Sequence, residues 1–191
     1  MSMNQILEWL LGGDPRSDGL STEVASFVLA NPQLIGELLD GLDEPQDLLR
    51  GRTADALEKI ARTSPDLLIA WLPKLYTVAR EDPRPAVKMH IAMLLGHLAM
   101  YAEHAPDITQ SLLEMLDDPS VFTRSWAIAS LCIMGRMYAQ DQDHILSSIA
   151  RLQGDTSIAI RTRVRNAIRI LTDERAPFPK GWINSQHLGG I

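Results

Sequence analysis

The sequence predicts an all-α protein, about four stacked helical hairpins preceded by a degenerate N-terminal helical pair. Three observations carry this reading. A seven-residue segment with an acid first and a base last occurs four times, its first residues 38, 36 and 37 positions apart. Apolar residues at spacings of three and four flank each copy on both sides, as two amphipathic helices require. No stretch sustains a period of two, so no strand is needed.

The four copies are Glu44-Pro45-Gln46-Asp47-Leu48-Leu49-Arg50, Asp82-Pro83-Arg84-Pro85-Ala86-Val87-Lys88, Asp118-Pro119-Ser120-Val121-Phe122-Thr123-Arg124 and Asp155-Thr156-Ser157-Ile158-Ala159-Ile160-Arg161. Thirteen residues after each acid come Leu57, Leu95, Leu131 and Ile168, and three further on Ile60, Leu98, Met134 and Leu171. Before the acids lie Leu34, Leu72, Ile108 and Ile145, then Leu38, Tyr76, Leu112 and Ile149. The repeating unit is therefore helix, short turn, helix. Asp82-Pro83 and Asp118-Pro119 read as an N-cap followed by proline at the first helical position. Ser64-Pro65 and Ala105-Pro106 open first helices, and Gly154 stops one.

One domain is expected, with helices over 1–30 capping units at 31–64, 65–104, 105–140 and 141–173. The loop from Gly12 to Gly19 divides the N-terminal pair. The tail, 174–191, contains Pro177, Pro179, Gly181, Gly189 and Gly190 and should be extended. Its Phe178 and Trp182 are placed to fold back over the open apolar face of the last unit, since end units of a stacked array lack one neighbour.

Hydrophobic residues form 46% of the chain and charged residues 22%, the balance of a soluble helical protein. The net charge of −6 opposes a phosphate backbone, which argues against nucleic acid as partner. The single cysteine, Cys132, lies in an apolar run and cannot form an internal disulfide. Met1-Ser2-Met3-Asn4 lacks a basic leader, and the longest apolar stretch, 91–102, is too short to span a bilayer. A cytoplasmic location is expected.

An acid in the turn with a base six residues later, in hairpins of about 37 residues, resembles the HEAT repeat family over residues 31–173. The resemblance implies a right-handed α-α superhelix of the armadillo/HEAT type. It also implies a ladder between adjacent units, formed by Glu44, Asp82, Asp118 and Asp155 with Arg50, Lys88, Arg124 and Arg161. Pro73 would bend one first helix, as such a proline does in the family; Ile35, Thr109 and Leu146 hold the equivalent positions elsewhere. Family members serve as scaffolds and adaptors, so the implied function is non-enzymatic binding of another protein.

In stacked hairpins the second helices line the concave side. With the buried columns removed, one outward column holds Arg52, His90, Trp126 and Arg163, and another Asp55, Met93 and Asn166 alongside Ala129. These form the candidate partner-binding face. Trp126 is its expected anchor, because an indole in a polar column suits a binding hot spot.

No catalytic constellation is present, and no cofactor or metal is expected. His90, His97 and His104 recur every seven residues, about 10 Å apart along a helix, too far to share an ion. No glycine-rich phosphate loop or nucleophile elbow occurs. Two alternatives remain: a subunit that self-associates through exposed apolar edges, and a HEAT-like nucleic-acid-binding protein or DNA glycosylase, the latter using Trp126, Asp55 and Arg163.

Overall fold

The computed structural model describes residues 5–14 and 16–191. The first residues of the expected N-terminal helical pair, and the expectation about a leader, therefore fall outside those described. Ten α-helices follow in order: α1 (Gln5–Leu11), α2 (Ser21–Ala30), α3 (Ile35–Asp40), α4 (Asp47–Thr63), α5 (Leu72–Glu81), α6 (Pro85–His97), α7 (Ala105–Glu114), α8 (Val121–Met137), α9 (Gln142–Ala150) and α10 (Ile158–Thr172). No strand occurs among the described residues. The pairs α3/α4, α5/α6, α7/α8 and α9/α10 are the four hairpins, and α1 and α2 pack on α4 at the N-terminal end.

Each first helix opens with a 3-10 turn, Pro32–Leu34, Pro65–Trp71, Ala102–His104 or Ala139–Asp141. In two of these a proline occupies the first position, where its missing N–H costs nothing. In the second unit the 3-10 segment gives way to α5 at Leu72, and Pro73 sits in the first α-turn. The change of helical type thus falls where proline withholds a donor.

The second helices begin later than an aspartate N-cap predicts. Asp82 and Asp118 are extended, with ψ of 129° and 140°. The proline that follows each one disfavours the helical conformation. Their carboxylates instead accept the N–H two residues on, Arg84 N to Asp82 Oδ1 at 2.7 Å and Ser120 N to Asp118 Oδ1 at 2.8 Å. Asp155 holds Ser157 N in the same way at 2.7 Å. In α8 the N-cap is Ser120, whose hydroxyl accepts from the amides of Phe122 and Thr123, and in α10 it is Ser157.

The first three turn bases each reach forward to the acid of the following turn. Arg50 Nε donates to Asp82 Oδ2 at 2.7 Å, Lys88 Nζ to Asp118 Oδ2 at 3.1 Å, and Arg124 Nη2 to Asp155 Oδ2 at 3.1 Å. Arg50, Arg124 and Arg161 also bind two carbonyls of their own turns. Glu44 contributes only its carbonyl; the side-chain partner of Arg50 within its own turn is Asp47.

The interior is a continuous leucine-rich seam. Leu38, Leu57, Ile60, Leu95, Leu98, Leu112, Leu131, Met134, Ile145 and Ile149 are fully buried, and Cys132 lies among them as a free thiol. Leu34, Tyr76 and Ile168 are only partly covered. Burying one such leucine stabilises by about 2 kcal/mol.

Helices α6 and α8 approach closely at Gly96, where an added Cβ would lie 2.5 Å from Ser130 Oγ and 2.9 Å from its Cβ. Ser130 itself donates to the Ala92 carbonyl at 2.7 Å. Substituting Gly96→Ala is expected to cost about 1–3 kcal/mol by overpacking, and adding Ser130→Gly should restore part of it, read by urea unfolding. For the ladder, Arg124→Met and Asp155→Asn should each destabilise by about 2 kcal/mol. The double variant should cost clearly less than their sum; strict additivity would mean the pair contributes no interaction.

Candidate functional site

Spacings of four, three and four put Phe122, Trp126, Ala129 and Ile133 on one side of α8, away from the first helices. The matching residues are Ala86, His90, Met93 and His97 on α6, and Leu48, Arg52, Asp55 and Lys59 on α4. On α10 they are Ala159, Arg163, Asn166 and Ile170. Half of this concave face is already covered. Ala129, Ile133 and Ile170 are buried although they point away from the hairpin interior, and Trp182 and Leu188 of the tail join the same apolar cluster.

The tail runs back across the second helices, from α8 and α10 to the end of α4. Arg136, in the last turn of α8, holds its exit by donating to the carbonyls of Ile170 at 2.9 Å and Ala176 at 3.3 Å. The same guanidinium lies 5.6 Å from the Phe178 ring centroid. Arg163 lies over two indoles, 4.8 Å from the centroid of Trp126 and 4.9 Å from that of Trp182. Farther on, Gln186 N donates to the Arg62 carbonyl at 2.9 Å, and His187 Nε2 meets the Thr63 carbonyl at 2.7 Å. The tail therefore extends from the last hairpin to the end of α4.

This places Trp126 differently from a free anchor. It is half-buried, with Arg163 on its face and Trp182 beyond. Burial holds the Arg163 guanidinium below its ordinary value, the thiol of Cys132 acting weakly the other way. Its Nη1 is buried with no hydrogen-bond partner, so the two π-faces are the chief counterweight to its desolvation. Burial likewise pushes the Cys132 thiol well up, which makes it inert.

Arg52 is not a surface residue. Its side chain enters the 12–19 loop and donates to the carbonyls of Leu10, Gly12, Asp14 and Ser17. It pins the N-terminal pair to α4. Asp55 is buried and accepts from Ser21 Oγ and from Lys59 Nζ. His90 Nδ1 stands 3.6 Å from Asp55 Oδ1. Met93 and Asn166 are half-buried.

Beside these residues lies Glu58, fully buried, between Arg62 and His97. It accepts from Arg62 Nε and Nη2 at 2.8 and 2.6 Å and meets His97 Nε2 at 2.8 Å. Burial raises the Glu58 carboxyl, but the hydrogen bonds from His97 and Arg62 outweigh it and hold the group below its ordinary value. His90 is lowered by burial, against the charges of Asp55 and Glu58. Sequence reading missed Glu58; the available signal was a carboxylate in a column otherwise held by Gly96, Cys132 and Arg169.

Asp55, Glu58 and His90 offer ligand atoms within 4.8 Å of one another across α4 and α6. Lys59 and Arg62 already engage the two carboxylates, so a metal ion would have to displace both cations. The arrangement is chemically an ion-pair network. No helix among the described residues is long and apolar enough to cross a membrane.

Stacked hairpins with their second helices along one concave surface define an α-solenoid. A family model described as HEAT repeats matches residues 31–132, more than half of the chain, and the protein belongs to the HEAT repeat family. No curated protein matches the sequence. Among solved structures the fold is similar to an engineered protein at TM-score 0.62 and 13% identity, covering 87% of this chain and 78% of the other. It is also similar to a designed armadillo repeat protein in complex with the peptide (KR)4, at TM-score 0.60 and 15% identity, covering 88% and 80%. A second designed armadillo repeat protein aligns at TM-score 0.58 and 13% identity, covering 87% and 80%.

Because His90 is held neutral, its burial contributes fully above about pH 6.5 and less as pH falls through its lowered folded value. Stability by urea unfolding should drop from pH 7.5 to 5.5, and His90→Gln should flatten that drop. Glu58 is depressed, so its contribution is present above about pH 4.5 and is lost on further acidification. In Glu58→Gln the loss between pH 5 and 3 should be smaller than in wild type.

Proposed function

We propose that the protein is a non-enzymatic binding scaffold whose concave face takes an extended segment of a protein partner. The observation that carries this is the tail itself: irregular polypeptide lies across the second helices, held by backbone hydrogen bonds and separated side-chain anchors. That is how a groove receives a peptide. Trp126 and Arg163 are the residues assigned to recognition, since they form the platform beneath Trp182. Met93 and Asn166 flank it on the same face.

The fold adds support of a general kind. Solenoids present long concave surfaces, and a designed armadillo relative was solved with a peptide bound. Against an enzyme stands the engagement of the two buried carboxylates of this face, Asp55 and Glu58, by the neighbouring cations Lys59 and Arg62.

The test is a selection of displayed linear peptides on the 191-residue chain, carried out on wild type and on Trp182→Ala. Selected peptides should bind, and Arg163→Ala or Trp126→Ala should weaken them at least about tenfold. Failure to select any peptide on either form, or binding indifferent to both substitutions, would remove the concave face as the interaction surface.

A further inference from the structure

We propose that residues 177–191 are a built-in competitor for the concave face, displaced by an extended segment of another protein that carries a tryptophan with an acidic residue beside it. This rests on the protein-binding reading above and names both its regulation and its ligand chemistry.

The tail is bound in the manner of a ligand, at separated points. Trp182, Ser185 and Leu188 are buried, while Lys180, Gly181, Asn184, Gln186, His187, Gly189 and Gly190 are exposed. Pro177, Pro179 and the left-handed glycines Gly181 and Gly190, at φ of 83° and 112°, keep it from forming a helix of its own. Its departure leaves the hairpins complete, because Leu57, Leu95, Leu131 and their neighbours face the first helices and not the groove. Arg136 holds the exit at Glu174 and Ala176 and lies against the Phe178 ring, so the chain beyond Phe178 leaves from a fixed point.

Two features of the occupied groove are left unfilled, and they define what would replace the tail. Arg163 Nη1 is buried and unpartnered, with Gly181-Trp182-Ile183 offering it no carboxylate. A segment with an acid next to its tryptophan would keep the indole stack and satisfy that donor as well. One turn before Trp126 on α8, Phe122 is 67% exposed, and Met89 and Ala86 on α6 extend the same apolar strip beyond the tail's path. A longer segment gains that area too. Such gains are needed: a tethered ligand acts at roughly millimolar effective concentration, so a rival with equal contacts at micromolar concentration is outcompeted about a thousandfold.

The test uses the 191-residue chain, wild type and Trp182→Ala, with a fluorescent synthetic peptide of the sequence of residues 176–191, read by anisotropy. Trp182→Ala should bind this peptide at least about tenfold more tightly than wild type, and Arg163→Ala in that background should abolish binding. The same peptide carrying Ile183→Glu should bind at least about threefold more tightly than the parent. Equal affinity of wild type and Trp182→Ala overturns the competitor role. No gain from Ile183→Glu overturns the acidic element of the ligand. A dimer by light scattering that the peptide dissociates would assign the groove to a second copy and overturn the partner assignment.

Hydrogen exchange on wild type gives an answer even if Trp182→Ala fails to fold. The amides of Trp182 and Gln186 should exchange at least about a hundredfold faster than those of α8. Exchange only on global unfolding would make the tail an integral part of the fold and end the proposal. Display-selected peptides that bind wild type and Trp182→Ala alike would leave the scaffold function standing while removing the tail's role.

Discussion

The cation that leaves one turn and ends on the carboxylate of the next is what converts four similar hairpins into a single object. Apolar burial drives the hairpins together but is non-directional, so alone it would tolerate neighbours sliding past each other. The links from Arg50 to Asp82, Lys88 to Asp118 and Arg124 to Asp155 are directional and fall at one height on every unit. Each carboxylate is itself aimed by a backbone amide two residues on, so turn conformation and repeat stacking are set by one group. The middle link differs in kind. Lys88 sets a single ammonium between the Arg80 carbonyl and Asp118, whereas the arginines at the other two junctions spread a planar fork over two carbonyls of their own turns and the next acid.

Much of this was readable from the chain because it repeats. An acid and a base at fixed separation, seen four times, reveal a structural pair that a single copy would not. The columns holding Leu57, Leu95 and Leu131 locate the interior for the same reason. What repetition could not reveal lies where units differ. Asp82 and Asp118 look like N-caps, yet the proline after each forces an extended conformation and delays the helix. Arg52 shares a column with Trp126, but its surroundings are set by the loop after α1, which no other unit has.

The concave face shows the same limit more sharply. Subtracting buried columns identifies one side of the second helices, and on that side Arg163 lies over Trp126. It does not identify what else points there. Trp182 comes from a segment with no periodicity, and its approach to Arg163 is a contact between distant parts of the chain that no local pattern encodes. Glu58 was hidden differently, as a carboxylate in a column with no consistent residue type, made tolerable by Arg62 and His97.

The contact at Gly96 has a bearing on recognition although it lies behind the groove. The distance between α6 and α8 fixes how far apart successive side chains of any chain lying across them must be to find their seats. That distance is set by hydrogen on one residue and a hydroxymethyl group on another. A residue behind the groove therefore acts as a ruler for the tail that crosses it, and a change in spacing at this seam would shift the seats of Trp182 and Gln186 before any lining residue had changed.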